Sequence, residues 1–342
     1  MICSPEDITP QALTTSLREA GLLTRGTVEQ VTSHPADQGA FSLGHPLFYL
    51  ELRYSETASV QLPANLFLKL GKSAKEYFFY TQIAPLLDNR HLVHSYQAAY
   101  SPPSDTTCLL LEDLSPTHTQ SAWPLPPPYA QCRETVRVLA QAHARWWNHP
   151  RLAADLPQAM PPGRSWADRI ALAIQKMPRF FDFLGDRLST NRRDTFERLL
   201  RSLPWEAPPS NKTLLHGDMH FWNVFYPRDA ARETLRLFDW NMWDTGRPTD
   251  DLAFLIAIHW YPERRGLLEQ NLLEEYLRAL VECDITGYNA AILRQDYRVS
   301  VARSLFIPIW QWQRGVHPVI WWSHLERGML AFEDLGCRDL LV

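Results

Sequence analysis

The chain has 342 residues, of which 45% are hydrophobic, 12% aromatic and 21% charged, and this composition excludes the disordered and fibrous classes of protein. Because 342 residues are more than one ordinary hydrophobic core holds, we expect two lobes that share a cleft. The formal net charge of -4 argues against a nucleic-acid-binding surface and favours a small-molecule partner.

The cysteines and the apolar runs indicate the cellular compartment. The five cysteines are odd in number, widely spaced and never arranged as Cys-x-x-Cys, which predicts neither a zinc site nor a disulfide framework. The N-terminal MICSPEDITP has acidic residues where a signal peptide has a basic region, and the longest apolar runs are too short to span a bilayer. We therefore expect a cytoplasmic protein that binds neither membranes nor nucleic acid, while its oligomeric state stays open.

Residues 1–112 have the pattern of a β-rich lobe. Thr9 predicts the N-cap of a short helix that Gly21 ends. The alternating runs LFYLELRY and NLFLKL predict an antiparallel hairpin, and AKEYFFYTQIAPLL has helical spacing up to Pro85. Two more strand-like runs, SYQAAYS and TTCLLLEDL, are joined by the turn-rich PPSD. The pattern predicts a small antiparallel sheet with a helix.

Residues 113–342 have the pattern of a larger, mainly helical lobe. This lobe opens with the proline-rich loop SPTHTQSAWPLPPPY, and helical periodicity follows in RETVRVLAQAHARWW and LLEEYLRALVE. One β island interrupts the helices, where the apolar runs KTLLHGD and LRLFDW flank NVFYPRDA and predict a small hairpin. The expected fold class is α+β, with the lobe boundary between residues 112 and 113.

Several polar residues occur at a spacing that indicates phosphoryl transfer. Asp218 and Asn223 lie five positions apart in HGDMHFWN, and Asp239 follows sixteen residues later in LFDWN. Protein-kinase-like enzymes use this order to provide a base for the acceptor hydroxyl and two oxygen ligands for magnesium. Such an enzyme also needs a strand lysine and a glutamate on the next helix to hold the nucleotide phosphates. Lys69 in NLFLKL and Glu76 in AKEYFFY satisfy this requirement.

These motifs together resemble the aminoglycoside phosphotransferase and choline kinase family, most closely its ecdysteroid-kinase-like branch, over nearly the whole chain. The resemblance is carried by FLKL, KEYFFYTQIAP, LLLEDLS, LAQAHARWW, HGDMHFWNVF, FDWN and GRPTDDLAFL. It implies a protein-kinase-like two-lobed fold, with a five-stranded antiparallel small lobe and a larger helical lobe. It also implies transfer of the γ-phosphoryl group of ATP, with GTP not excluded, to a hydroxyl of a small-molecule acceptor in the presence of Mg²⁺.

The same resemblance implies roles for the individual residues of the catalytic machinery. Asp218 corresponds to the catalytic base, and Asn223 and Asp239 correspond to the magnesium ligands. Lys69 corresponds to the residue that holds the nucleotide phosphates, and Glu76 to the residue that orients this lysine.

Further residues are implied as parts of the nucleotide site and as supports of the catalytic loop. Glu112 and Leu114 lie in the segment that corresponds to the adenine contact, while His216 and Asp251 correspond to residues that brace the catalytic loop. No G-x-G-x-x-G motif precedes the strand lysine. The segment GAFSLG, which begins at Gly39, stands in its place and is a candidate phosphate-covering loop.

Three questions stay open at this point. A metal-dependent hydrolase could use the cluster of His216, Asp218 and His220, because His-x-x-x-His is a metal-ligand spacing. A nucleotide-binding pseudokinase would keep the fold without turnover. The acceptor is an antibiotic or an amphipathic or ring-containing alcohol. Aminoglycoside antibiotics are polycations, and their kinases require a strongly acidic pocket wall. Here the C-terminal third mixes arginine with glutamate and is rich in tryptophan and tyrosine, which favours the amphipathic or ring-containing alcohol.

Overall fold

The computed structural model describes residues 2–36, 46–58, 62–72, 74–154, 156, 165–202 and 211–341. Gly39 and the rest of the GAFSLG segment lie outside these residues. The chain forms two compact units. The first comprises Met1–Gln120 and Val224–Asn241, and the second comprises Ser121–Asn223 and Met242–Val342. The boundary between residues 112 and 113 stays a prediction.

The elements up to residue 120 are mainly strands. They are α1 (Pro10–Glu19), β1 (Val28–Pro35), β2 (Leu47–Tyr54), β3 (Asn65–Lys72), α2 (Ala74–Phe78), β4 (Ser95–Ser101), β5 (Thr106–Glu112) and β6 (His118–Thr119).

The elements beyond residue 120 are mainly helices. They are α3 (Tyr129–Arg145), α4 (Arg151–Ala154), α5 (Trp166–Leu184), α6 (Thr190–Ser202), β7 (Thr213–Leu215), β8 (Val224–Pro227), β9 (Arg236–Leu237), β10 (Asp244–Gly246), α7 (Thr249–Leu252), α8 (Pro262–Glu282), α9 (Ala290–Ser304), α10 (Ile307–Gln313) and α11 (Pro318–Asp334).

The first unit contains the predicted five-stranded antiparallel sheet, with strand order β1-β2-β3-β5-β4. Strand β3 therefore lies at the centre of the sheet. Its residues Leu66, Leu68 and Leu70 are buried in one core with Leu13 and Leu17 of α1. Because successive side chains of a strand point to opposite faces, the lysine between Leu68 and Leu70 lies on the face away from this core.

The two predicted helices of the first unit are also present. The Thr9 hydroxyl accepts a hydrogen bond from Ala12 N at 3.2 Å, which caps α1 as its sequence predicts. Helix α2 is short, but it continues as a wider π-helical turn over Phe79–Ile83 and a 3₁₀ turn over Ala84–Leu86. The helical run predicted up to Pro85 is thus one element of changing pitch.

The predicted hairpin between KTLLHGD and LRLFDW is wrong in its pairing. Strand β7 pairs with β10, whereas β8 pairs with β9 on one edge and with β6 on the other. These strands have two to four residues each, so periodicity cannot identify their partners. The β8–β9 hairpin belongs to the first unit, while β7 and β10 belong to the second.

The second unit is mainly helical, as predicted. Helix α3 packs against α8, and α5 packs against α10. The buried face of α3 includes Val136, Leu139, Ala140 and, at the same helical spacing, the polar residue His143. Within the described ranges, none of the helices has the length and apolar character that a membrane span requires.

Candidate active site

The first unit brings three predicted site residues into one ion cluster. Lys69 Nζ lies 2.9 Å from Glu76 Oε1, 2.8 Å from Glu76 Oε2 and 2.7 Å from Asp239 Oδ1. The central strand β3 supplies the lysine, the first turn of α2 supplies the glutamate, and the segment after β9 supplies the aspartate. The Lys69 and Glu76 side chains are 11% and 5% exposed, whereas Asp239 is 30% exposed. The cluster is therefore buried on one side and open at Asp239.

Lys69 is a buried cation between the carboxylates of Glu76 and Asp239. Burial disfavours the charge of Lys69, but the carboxylates of Asp239 and Glu76 outweigh burial and raise the lysine pKa, so Lys69 stays protonated. Burial raises the pKa of Glu76, an effect that Lys69 opposes and Asp239 reinforces.

The backbone of Asp239 is held in a left-handed conformation. Its φ of 63° is uncommon for any residue except glycine, although aspartate tolerates this region better than most. Such a conformation costs about 1–3 kcal/mol and persists only where the surroundings fix it. The next residue provides this constraint, because the buried Trp240 ring stacks on Phe79 with centroids 4.2 Å apart and planes inclined by 9°.

The second unit carries Asp218 and Asn223 on the loop between β7 and β8. Asn223 Nδ2 donates to the backbone oxygen of Asp218 at 3.0 Å and lies 3.5 Å from its Oδ2. The Asp218 side chain is 32% exposed, and its Oδ2 lies 3.8 Å from His220 Nε2. The loop thus presents a carboxylate to solvent and fixes it from behind through the asparagine amide.

Mg²⁺ takes hard oxygen ligands and retains several waters, and each predicted ligand offers such an oxygen within its own unit. Asp239 of the first unit offers a partly exposed carboxylate beside Lys69. Asn223 uses its amide nitrogen within the loop, which leaves its carbonyl oxygen as the group able to face an ion. The assignment of both residues as magnesium ligands stays a prediction.

Asp251 braces the backbone of the Asp218 loop. Its Oδ2 accepts from His216 N at 2.7 Å, and its Oδ1 accepts from Gly217 N at 2.9 Å. Asp251 is 1% exposed, so its charge requires these donors. Asp251 therefore holds the backbone of two consecutive residues of this loop, and the assignment of His216 and Asp251 as supports of a catalytic loop stays a prediction.

Gly217 is required at its position for steric reasons. Its φ is 78°, and a Cβ atom built there would lie 2.0 Å from the backbone oxygen of Met242. A residue with a side chain cannot occupy this position without moving one of the two backbones. The glycine therefore sets the close approach of the residue before Asp218 to the segment before β10.

Two further residues, which the sequence analysis assigned no role, also support this loop. His143 Nε2 lies 3.2 Å from Asp251 Oδ2, while its Nδ1 lies 2.7 Å from the Tyr276 hydroxyl. Arg169 Nη1 donates to Gly217 O at 3.3 Å. A polar residue on the apolar face of α3 was the signal for His143, but Arg169 stands in no recognisable motif.

Arg169 is a buried cation among aromatic and acidic groups. Its guanidinium lies 5.0 Å from the Trp166 ring centroid and 5.8 Å from that of Trp310, and its Nη2 lies 3.7 Å from Asp244 Oδ2. Burial lowers the pKa of Arg169, and the negative charges of Asp244 and then Asp218 oppose that shift. Arg169 therefore belongs to the electrostatic surroundings of the predicted base.

The predicted adenine segment lies at the end of β5. Glu112 Oε1 accepts from His94 N at 2.8 Å and lies 3.7 Å from Arg236 Nε, and Leu114 is buried. The glutamate side chain is thus occupied by groups of its own unit. The adenine contact of Glu112 and Leu114 stays a prediction, as does the role of Gly39.

The histidines of the hydrolase alternative have other surroundings. His216 is fully buried, and its backbone nitrogen is bound to Asp251. His220 packs among aromatic rings, including Trp222 at 5.8 Å between centroids. In the described part of the chain, no group of three or more His, Cys, Asp or Glu side chains is arranged to hold a metal ion.

Solved structures of small-molecule kinases share this fold, as predicted. A candidate aminoglycoside phosphotransferase from Ralstonia eutropha superposes with a TM-score of 0.58 at 15% identity, over 97% of this chain and 98% of that chain. Ethanolamine kinase from Plasmodium vivax superposes with a TM-score of 0.54 at 13% identity, over 91% of this chain and 83% of that chain. Choline kinase from Cryptosporidium parvum superposes with a TM-score of 0.53 at 13% identity, over 90% of this chain and 89% of that chain. The fold is that of the protein-kinase-like phosphotransferases.

A family match narrows this class. Residues 165–286 match the Ecdysteroid kinase-like family, and this segment contains Asp218, Asn223 and Asp239. The resemblance stated from the sequence motifs is thereby confirmed. Acyl-CoA dehydrogenase family member 10 of Mus musculus is 31% identical over 102 residues, which are 26% of this chain and 9% of that protein. This chain therefore spans less than a tenth of the mouse protein.

Proposed function

We propose that this protein is a small-molecule kinase that transfers the γ-phosphoryl group of ATP to a hydroxyl group. The observation that carries the proposal is the ion cluster of Lys69, Glu76 and Asp239, with nitrogen–oxygen distances of 2.7 to 2.9 Å. A purely structural ion pair would need one carboxylate. The second, partly exposed carboxylate beside a glutamate-held lysine is the arrangement with which kinase-like enzymes hold phosphates and magnesium.

The chemistry follows from the separate parts of the site. The acceptor oxygen forms a bond to the γ-phosphorus atom, the bond from phosphorus to the β–γ bridging oxygen breaks, and the hydroxyl proton passes to Asp218. In a loose transition state this proton moves late, so the carboxylate acts chiefly by orienting the hydroxyl. Lys69 offsets the charge on the phosphates. Mg²⁺, held by Asp239 and Asn223 as predicted, would neutralise the same charge when bound.

The surroundings of Asp218 in the second unit support an uncharged or amphipathic ring-containing alcohol as acceptor. His220 and Trp222 provide aromatic surface beside the base, and aromatic walls commonly line small-molecule sites. The buried Arg169 carries positive charge within electrostatic range of Asp218, which disfavours a polycationic acceptor. An aminoglycoside phosphotransferase of the same fold forms a ternary complex with ADP and hygromycin B, so antibiotics belong in the same screen.

The test is a mass-spectrometric screen of hydroxylated compounds with Mg·ATP. The panel contains sterols and other ring alcohols, aminoglycosides, choline and ethanolamine. We expect ATP-dependent addition of one phosphoryl group to a ring alcohol and the loss of this product with Asp218→Asn. Binding of Mg·ATP without turnover of any compound would favour the pseudokinase alternative, and the absence of nucleotide binding would refute the kinase proposal.

A further inference from the structure

His220 lies beside the predicted base but has no role in the chemistry described so far. It follows Asp218 by two residues on the same loop, and its Nε2 lies 3.8 Å from Asp218 Oδ2. The His220 side chain is 21% exposed, so both side chains are partly accessible to solvent. The His220 backbone oxygen accepts from Asn223 N at 2.9 Å, which ties this residue to the turn that carries the asparagine.

The His220 ring is held by aromatic packing on its far side. Its centroid lies 5.2 Å from that of His259 and 6.5 Å from that of Phe254, and the Phe254 ring is nearly parallel at 27°. His259 in turn lies 4.5 Å from His324. Three histidines and a phenylalanine thus form one contiguous packed group that leads from the base into the core.

The two inner histidines are neutral parts of this support. Burial lowers the pKa of His259 well below its usual range and lowers that of His324 to about 3. The Nδ1 atom of His259 lies 2.5 Å from the Phe254 carbonyl oxygen, which can only accept, so Nδ1 carries the proton. The fixed tautomer of His259 and its tight contact give His220 a rigid surface to pack on.

We propose that His220 is a catalytic residue that donates a hydrogen bond from its imidazole to the phosphoryl group during transfer. The inference rests on the proposed function, because the phosphoryl group reaches the acceptor oxygen at Asp218. The Nε2 atom lies 3.8 Å from the base carboxylate, and in the tautomer that carries its proton there it is within reach of an oxygen of that phosphoryl group. His220 transfers no proton and forms no covalent bond. It stabilises negative charge, as donors fixed at a transition state do.

The alternative role for His220 is purely structural, as a packing residue on Phe254 and His259. These roles differ in which ligand they affect. A packing residue affects stability and the binding of all nucleotides alike. A donor to the transferring phosphoryl group affects only the state in which that group lies between donor and acceptor oxygens, because catalytic groups act differentially on the transition state.

The experiment compares two complexes by titration calorimetry, Mg·ADP alone and Mg·ADP with aluminium fluoride, which mimics the transferring phosphoryl group. It needs no acceptor. We expect the wild-type protein to bind the aluminium fluoride complex much more tightly than Mg·ADP. His220→Ala should reduce this preference by about 10²-fold while Mg·ADP affinity changes little. His220→Gln should restore part of it, because its amide can donate, and the exposed residue His34 provides the control His34→Ala.

The outcomes separate this inference from the proposed function. A wild-type protein that binds neither Mg·ATP nor Mg·ADP overturns both. If the wild-type protein prefers the aluminium fluoride complex over Mg·ADP and His220→Ala keeps this preference in full, the catalytic role of His220 is overturned and the proposed function is not. Equal losses of affinity for both complexes identify His220 as a packing residue and also overturn the inference. His220→Gln retains most of the side-chain volume, so it decides the matter if His220→Ala does not fold.

Discussion

Replacement of Gly217 by alanine tests whether the backbone before Asp218 is fixed by steric contact. The new Cβ atom would lie 2.0 Å from the backbone oxygen of Met242, whereas real Cβ contacts essentially never fall below 3.0 Å. One backbone must therefore move by about 1 Å, and overpacking of this kind costs about 1–3 kcal/mol. The left-handed φ of 78° adds about 1–2 kcal/mol for a residue with a side chain. We expect Gly217→Ala to lose about 2–5 kcal/mol of unfolding free energy.

The structure offers a matched control at Gly287, which lies in the same unit. Its φ is 81°, but a Cβ atom there would have no heavy atom within 4 Å. Gly287→Ala should therefore lose only the conformational part, about 1–2 kcal/mol. Urea unfolding measures both values. A displacement of about 1 Å at Asp218 should also reduce turnover by about 10²-fold in Gly217→Ala alone. Equal stability and equal turnover of the two variants would refute the steric argument.

Four further predictions concern charge. Mg·ATP at 100 times its dissociation constant should stabilise the protein by about 2.7 kcal/mol, and calorimetry should find most of that gain absent in Asp239→Ala. Asp218→Asn should reduce turnover by about 10²- to 10⁴-fold with nucleotide affinity nearly unchanged; parental turnover would remove Asp218 as the base. Arg169→Met should lose about 3–5 kcal/mol in urea unfolding, because the buried Asp244 loses its cation; an unchanged midpoint contradicts this. His324 is neutral in the folded protein with a pKa lowered to about 3, so the unfolded chain binds more protons in acid. Stability should therefore fall from about pH 6.5 towards pH 3, and less steeply in His324→Gln.

Local patterns were enough to predict α1 and the strands β2 to β5 of the first unit, because these elements are long or capped, whereas no local pattern predicted β1 or the pairing of β8 with β9. Strand β3 has leucine at every second position from Leu66 to Leu70, and α1 follows a threonine and begins with proline, so these signals are sufficient for both elements. The pairing of β7 with β10 was missed for the opposite reason. Each of these strands has three residues, and a three-residue run fits several partners equally well.

In the candidate site too, some residues were identified from the sequence and others were not. Asp218 and Asp239 are partly exposed carboxylates, and the proposed phosphoryl transfer would require both, so the prediction relied on their spacing along the chain. The supports are different. His143 reaches Asp251 across 108 positions, and Arg169 reaches Gly217 across 48. No local rule links residues that far apart.

The position of Asp251 explains why one support was nevertheless predictable. A loop whose backbone amides must be satisfied in a buried setting needs an acceptor with two oxygens, and a carboxylate supplies both. The cost of burying that charge then requires further donors, which restricts the choice of residue at each contact. In this chain the two oxygens of Asp251 meet that requirement for His216 N and Gly217 N. The residue type at position 143 of α3, which contacts Asp251 Oδ2, is less restricted, because a histidine, an asparagine or a bound water could each donate to this oxygen. His143 is one of several solutions, whereas Asp251 follows from the loop itself.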